Sequence, residues 1–447
     1  MTVLLGCRSA QQTDVPCVHH PAECESTADG RPVGQVRPAS FTDSQPATPE
    51  RPGPEIHAGM ALADFEVLAV QCNPAVAAAA ARVEAARGKW VQAGLYPNTV
   101  VGYSAGEVGI LDTAGKQGIM VSQRLITGGK QRLDRAITAR QVDRAAAALD
   151  AAHRRVLNDV RIRFYDVLVA QREVELTIEL VRVGEELAKA SSGLRQGDQI
   201  SEPDLLQAEI EAEQARILHD NAVNNHVRAW RGLCAVVGTA VSEVTFVEGD
   251  VEQHAPEYTW EACLEGILRE HPELDAARAE VERARLAICR AYRQRIPDVD
   301  LTVAFRHDNL TDGDVYNVQA GLPIPWLDRN QGNIYRTKSE LSAASAELRK
   351  LELSLEDRLA TALRRYDDAR QQVRRYSDGI LPRADKSLRL VQRAYGEGQL
   401  DYLTLLTTQR TYFQANLAYL SALRELRQSV VLLEGKLLSG SLSARAP

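Results

Sequence analysis

The stretch Gly193 to Gln207, GLRQGDQISEPDLLQ, returns far downstream as Ala394 to Thr407, AYGEGQLDYLTLLT, with Gly197 matching Gly398 and Leu205-Leu206 matching Leu405-Leu406. Reading outward from these copies, Tyr165-Asp166 matches Tyr366-Asp367, Leu95-Tyr96-Pro97 matches Arg295-Ile296-Pro297, and Asn73-Pro74 matches His271-Pro272. A chain written twice must build one unit twice and pack the two units together. In each copy a glycine breaks a very long helical pattern, and Ser201-Glu202-Pro203 or Asp401 opens the next helix. Each copy therefore reads as the tip of a helical hairpin.

The domain plan follows from the repeat. Residues 59–240 form the first unit, with strands near 99–106 and 118–125 and a tip near 193–203. Residues 241–258 connect it to the second unit at 259–440, which has strands near 299–306 and 316–322 and a tip near 395–402, and 441–447 form a tail. Each unit is a helix-strand-strand-helix-helix array. Val299, Leu301, Val303 and Phe305 alternate with Asp300, Thr302, Ala304 and Arg306, and Tyr316, Val318 and Ala320 alternate with Asn317, Gln319 and Gly321. One apolar and one small or polar face suits either a soluble half-buried hairpin or a membrane barrel strand, for which roughly 10 residues suffice. Trp90, Tyr96 and Trp326 flank the strands, where an interfacial aromatic girdle would fall.

The helix after the first strand pair carries a seam of Val156, Val160, Phe164, Val167, Val174, Ile178 and Val181, flanked by Leu176, Leu180, Val183 and Leu187. Its counterpart repeats the pattern from Leu341 to Tyr376, with Pro382 expected to kink it. About 60 residues make a helix of roughly 90 Å, longer than a compact domain needs. Apolar stripes on two flanks suit the wall of a helical cylinder. No run of 18 or more apolar residues is present, so a membrane span would have to be made of strands. Four strands cannot close a barrel, which needs about eight, and open edges cannot face lipid. If the strands are in a membrane, copies must close the barrel together. The net charge of −7 argues against a nucleic-acid partner.

The N-terminus opens Met1-Thr2-Val3-Leu4-Leu5-Gly6-Cys7, which ends like a bacterial lipoprotein signal with Cys7 as the lipidated residue. Residues 1–7 are too short for a whole signal, so translation is expected to start upstream. Residues 8–58 read as a flexible tether, with six prolines between Arg31 and Pro54. Cys17, His19, His20 and Cys24 are soft-metal ligand types, but their spacing fits no standard zinc motif. A Cys17–Cys24 disulfide or an incidental cluster are the competing readings. Cys72, Cys234, Cys263 and Cys289 fall on helical patterns as small apolar residues.

Three motifs imitate catalysis. Gly102-Tyr103-Ser104-Ala105-Gly106 satisfies the nucleophile pattern of a hydrolase, yet Ser104 lies in an alternating strand rather than a strand-to-helix turn. Gly128-Gly129-Lys130 resembles the end of a phosphate loop without its first glycine or its Ser/Thr. Asp308, Asp312 and Asp314 lack the calcium-loop pattern at Leu310. The reading is of a non-enzyme without cofactors, either an export conduit or a coiled-coil scaffold without a pore.

With these pieces together, residues from about Ala61 to Leu438 resemble the TolC family of outer-membrane efflux proteins. The specific pieces are Ala394-Tyr395-x-x-Gly398 with Asp401-Tyr402-Leu403-x-Leu405-Leu406, the matching Gly197 to Gln207, and Pro323-Ile324-Pro325-Trp326-Leu327-Asp328-Arg329-Asn330-Gln331-Gly332. The last run is similar to that of the cobalt-zinc-cadmium branch. The resemblance implies a mainly α fold with a small membrane β-barrel, assembled as a homotrimer: a helical tunnel across the periplasm and a twelve-stranded barrel in outer-membrane lipid, four strands per chain. It implies a periplasmic adaptor at the tips, at Gly197, Asp198, Gly398 and Gln399, and an inner-membrane pump of the RND type, with metal export as one possible role. It implies an aperture near Glu202, Asp204, Asp401, Thr404 and Thr407. Thr404 and Thr407 stand roughly where some members carry ring-forming aspartates, which leaves Asp401, Glu202 and Asp204 as the acidic residues nearby. The plain reading of Glu202 and Asp204 is charge at a helix N-terminus.

Overall fold

The computed structural model describes residues 59–110, 114–196, 200–239, 243–253, 255–397 and 399–442. The first unit runs α1 (Leu62–Cys72), α2 (Pro74–Ala93), β1 (Val100–Gly106), β2 (Lys116–Leu125), α3 (Lys130–Gln196) and α4 (Glu202–Val237). The second runs α5 (Trp260–Glu270), α6 (Pro272–Arg293), β3 (Val299–Asp308), β4 (Gly313–Gly321), α7 (Gln331–Arg375), α8 (Leu381–Gly396) and α9 (Tyr402–Glu434). The duplication is therefore present in the order of elements. Both second strands begin earlier than the alternation indicated, because ladder pairing continues past the last apolar residue to Lys116 and Gly313.

The matched pair Asn73-Pro74 and His271-Pro272 does the same job twice. Proline opens α2 and α6 where its missing N–H costs nothing. The preceding side chain caps the helix: Asn73 Oδ1 accepts from Ala75 N at 2.8 Å and His271 Nδ1 from Glu273 N at 3.2 Å. The other end of each side chain ties the C-terminal end of the same unit, Asn73 Nδ2 donating to Val236 O at 2.6 Å and His271 Nε2 to Lys436 O at 3.0 Å. In the first unit the chain then turns at Gly238, φ 84°, where a Cβ would meet Cys72 O at 2.8 Å.

Two apolar clusters lie where these ties are made. Phe65, Val156, Val160, Phe164, Trp230 and Leu233 form one, with the Phe65 ring 5.9 Å from Phe164 and 6.3 Å from Trp230. Leu274, Leu355, Leu359, Tyr366, Val430 and Leu433 form the other. Helix α9 serves both, through Leu423 in the first and Leu426 and Val430 in the second. The expected seam of α3 holds at Val156, Val160, Phe164 and Val167 but not throughout, since Ile178 is exposed and the buried positions shift to Ala170, Gln171 and Thr177. A helix of 67 residues drifts against a strict heptad, so one seam cannot face one neighbour over its whole length.

The second long helix changes its winding just before Pro382. A π turn over Tyr376–Ile380 separates α7 from α8, and Leu381 N–H closes it on Tyr376 O. Widening the turn before the proline accommodates its ring and its missing donor. Cys234 is buried as expected, while Cys72, Cys263 and Cys289 are only half-buried.

Candidate conduit surfaces

The four strands form one antiparallel sheet in the order β1-β2-β3-β4, so the two units meet at β2 and β3. Paired residues in a ladder point to one face. The register aligns Val101, Val121, Val303 and Val318 in one row and Tyr103, Ile119, Phe305 and Tyr316 in the next. These apolar side chains are exposed, from 39% at Phe305 to 73% at Tyr316. The opposite face carries Ser122, Thr302, Gln319 and Asn317, with Thr302 Oγ1 donating to Ser122 Oγ at 3.0 Å and Arg124 paired to Asp300 at 2.8 Å. Alternation within single strands thus becomes one continuous apolar face and one polar face. Ser104 sits inside this ladder opposite Gly118, not on a strand-to-helix turn, so the nucleophile pattern has no elbow to work from. Tyr96 and Trp326 are exposed beside the sheet, whereas Trp90 lies on α2 under the Arg135 guanidinium, 4.2 Å from its ring centre.

Where strands hand over to long helices, both units use left-handed backbone: Gly128 and Gly129 at φ 66° and 68°, and Asn330 at φ 61°. The Gly128-Gly129-Lys130 run is a structural corner. Lys130 is buried and its ammonium pairs with Asp298 at 2.7 Å, while Thr127 N donates to the same carboxylate at 3.0 Å. Burial alone would raise the Asp298 carboxyl, but the Lys130 ammonium and the Thr127 N–H outweigh it and hold the group below the ordinary carboxylate range. A buried ammonium needs such a partner. The pair joins the start of α3 to the approach of β3, across the seam between units. In the second unit Asp328 accepts from Asn330 N and Asn330 Nδ2 donates to Ala291 O, each at 2.8 Å, which gives the Leu327-Asp328-Arg329-Asn330 run a geometric reason.

At the hairpin ends, Gly197, Asp198 and Gly398 lie outside the described residues, as do Cys7, Cys17, His19, His20 and Cys24. Gln399 is exposed, its N–H donating to Ala394 O at 2.8 Å and its side chain to Glu397 at 2.9 Å. Asp204 accepts from Ser201 N at 3.2 Å and Ser201 Oγ at 2.6 Å, the helix-capping arrangement, and Glu202 is exposed in the same first turn. Asp401 accepts from the Thr404 hydroxyl, and Thr407 donates to carbonyls of its own helix, Leu403 O and Thr404 O, at 3.0 Å. The three carboxylates Glu202, Asp204 and Asp401 sit at the openings of α4 and α9.

Sequence reasoning missed the contact between the two hairpins. Arg410 on α9 reaches Glu211 on α4 at 2.5 Å. Nearby, the Tyr395 and Tyr402 rings lie 6.2 Å apart. Burial, with Tyr395, Glu211 and Asp204 close by, pushes the Tyr402 hydroxyl up to about 12. The available signal was an asymmetry between the copies, since Arg410 stands where the first unit has Ile210.

The comparisons with known proteins agree with this architecture. The family model described as outer membrane efflux protein matches twice, over residues 67–239 and 264–437. The cobalt-zinc-cadmium resistance protein CzcC of Cupriavidus metallidurans is 25% identical over 380 residues, covering 82% of this chain and 87% of that protein. Among solved structures, the outer-membrane channel OprN superposes with a TM-score of 0.72 at 16% identity, covering 91% of this chain and 99% of its own. The open-state MtrE outer-membrane channel of Neisseria gonorrhoeae gives 0.71 at 18%, covering 86% and 90%. A doubled helix-strand-strand-helix-helix array, matched once in each half and sharing its fold with these channels, belongs to the outer membrane efflux protein family, and the chain is an outer-membrane efflux channel extending into the periplasm.

Proposed function

We propose that three copies of the chain form the outer duct of a tripartite efflux assembly, carrying what an inner-membrane pump of the RND type delivers through a periplasmic adaptor. The observation that carries this reading is the sheet itself. Among the described residues its β1 and β4 edges are unpaired, one face is continuously apolar, and open edges are not tolerated in hydrocarbon. Closing it with two further copies supplies twelve strands, within the range of outer-membrane barrels. The apolar rows then face lipid and the Ser122, Thr302 and Gln319 face lines the lumen. The long α3/α4 and α8/α9 hairpins form the tunnel, with Gly197, Asp198, Gly398 and Gln399 meeting the adaptor and Glu202, Asp204, Asp401, Thr404 and Thr407 around the aperture. Cys7 carries a lipid that adds to the barrel's attachment.

Heavy-metal cations are the proposed cargo, supported by the similarity to a cobalt-zinc-cadmium resistance protein over most of both chains. Among the described residues no group of three or more His, Cys, Asp or Glu is placed to hold a metal. A deletion strain exposed to zinc, cobalt, cadmium, copper and several drugs tests the cargo. Sensitivity to the first three, restored by the intact gene, is expected; drug sensitivity alone would reassign the cargo.

A further inference from the structure

One cation on the polar face of the sheet stands apart from the others. Arg124 is paired with Asp300 at 2.8 Å, and Lys116 with Glu107 at 2.7 Å. Asp308, the remaining carboxylate on this face, is buried and accepts from Leu310 N at 3.0 Å, which turns it into the β3–β4 turn. Arg306 has no ion pair or side-chain hydrogen bond among the described residues, and its Nε is buried without a partner.

The sheet makes room for this side chain. Opposite Arg306 stands Gly118, where a Cβ would lie 1.8 Å from Phe305 O and 2.6 Å from Arg306 Cα. One strand further, a Cβ on Gly106 would lie 3.8 Å from Arg306 Nη1. The arginine therefore lies across β2 toward β1 over glycines, with its guanidinium held on the polar face. β3 starts beside the helix junction at Val299 and ends at the Asp308 turn, so Arg306 sits at the end of the sheet remote from the helices.

We propose that Arg306 is a specificity-determining residue of the channel, its three copies forming a guanidinium ring on the barrel wall near the outer mouth that attracts small inorganic anions such as chloride and phosphate. This rests on the trimeric barrel reading above. A guanidinium keeps its charge at any physiological pH and offers a planar set of donors suited to anions. Rings of Arg or Lys are a recurring means of admitting anions to pores, and lumen substitutions in barrels tune selectivity. The paired Arg124 and Lys116 are largely neutralised by their carboxylates, so the ring is the part of the wall whose charge the lumen feels. For cationic cargo the same ring lowers occupancy at the exit and discourages lingering there.

The test is the reversal potential of purified full-chain trimers in a planar bilayer under a potassium chloride gradient. Arg306→Gln is expected to lower the chloride-to-potassium permeability ratio by about twofold or more, Arg306→Glu to lower it further, and Arg306→Lys to retain it. The double variant Arg124→Gln/Asp300→Asn, which removes a neutral pair, should leave the ratio at its unaltered value. An unchanged ratio in both Arg306→Gln and Arg306→Glu overturns the assignment. So does loss of trimers in Arg306→Gln while Arg306→Lys assembles, since the residue is then a strut. No conductance from the unaltered protein would instead overturn the channel reading, and this assignment with it.

Discussion

At positions 302 and 303 neighbouring side chains point to opposite faces of the sheet, and a single charge reads which of them meets lipid. Val303 lies in an exposed valine row, Thr302 in the hydroxyl row with Ser122. Arg at 303 is expected to cost roughly 2–4 kcal/mol if it lies near the bilayer midplane, while Thr302→Arg is tolerated. Urea unfolding in lipid vesicles measures both, and equal tolerance would place the sheet outside a membrane. His271 makes a second residue-scale case. Burial pushes its imidazole down to about 4, Glu273 opposing that shift and Arg358 and Arg155 adding to it. Its Nδ1 must stay unprotonated to accept from Glu273 N. Because the folded value lies below the ordinary one near 6.5, its contribution is whole above about pH 6.5 and fades as pH falls toward 4. His271→Asn, copying Asn73, should flatten the pH dependence of trimer melting in that window. The same slope in both proteins would remove His271 from the account.

Between elements, the two hairpins differ in how they are held. Arg410 and Glu211 join α9 to α4, and a π turn before Pro382 stands between α7 and α8. Among the residues of α8 whose burial is described none is fully buried, and its inner face is half-buried. Glu211→Ala should raise the fraction of conducting trimers in bilayers by weakening the tie between hairpins, and an unaltered open fraction would make the pair a surface contact worth under about 1 kcal/mol. At the tips, Gly197→Leu and Gly398→Leu should still yield trimers in the outer membrane but lose adaptor cross-linking and export, more severely than the Ala variants. Failure of both kinds to accumulate would make the glycines hinges only.

For the whole molecule, the proposed anchoring arrangement predicts an acylated Cys7. Mass spectrometry of the N-terminal peptide checks this, and an uncleaved Met1 would dispose of it. The sheet is expected to remain the main membrane attachment, so Cys7→Ala should leave trimers in the outer-membrane fraction.

Chain order alone carried the duplication, the strand pairs and the long helices, because these depend on periodicity and turn residues, which are local. Even the two sheet faces were legible, since alternation sets a face as soon as a strand exists. What remained hidden depended on residues distant in the chain. Gly128-Gly129-Lys130 could be set aside as an incomplete phosphate loop from the sequence, but the role of Lys130 shows only with Asp298, from the other unit, against it. Asn73 and His271 stood out only as matching residues before a proline, and both the caps they make and their second bonds, each reaching the far end of its own unit, appear only in the fold. Arg306 could be assigned to the polar face from its strand, but its lack of a partner among the described residues and the glycines beside it emerge only when β1, β2 and β3 are laid side by side. A sequence records what each residue offers its neighbours in the chain; ion pairs, buried caps and an unpaired guanidinium depend on which distant groups the fold brings within hydrogen-bond reach.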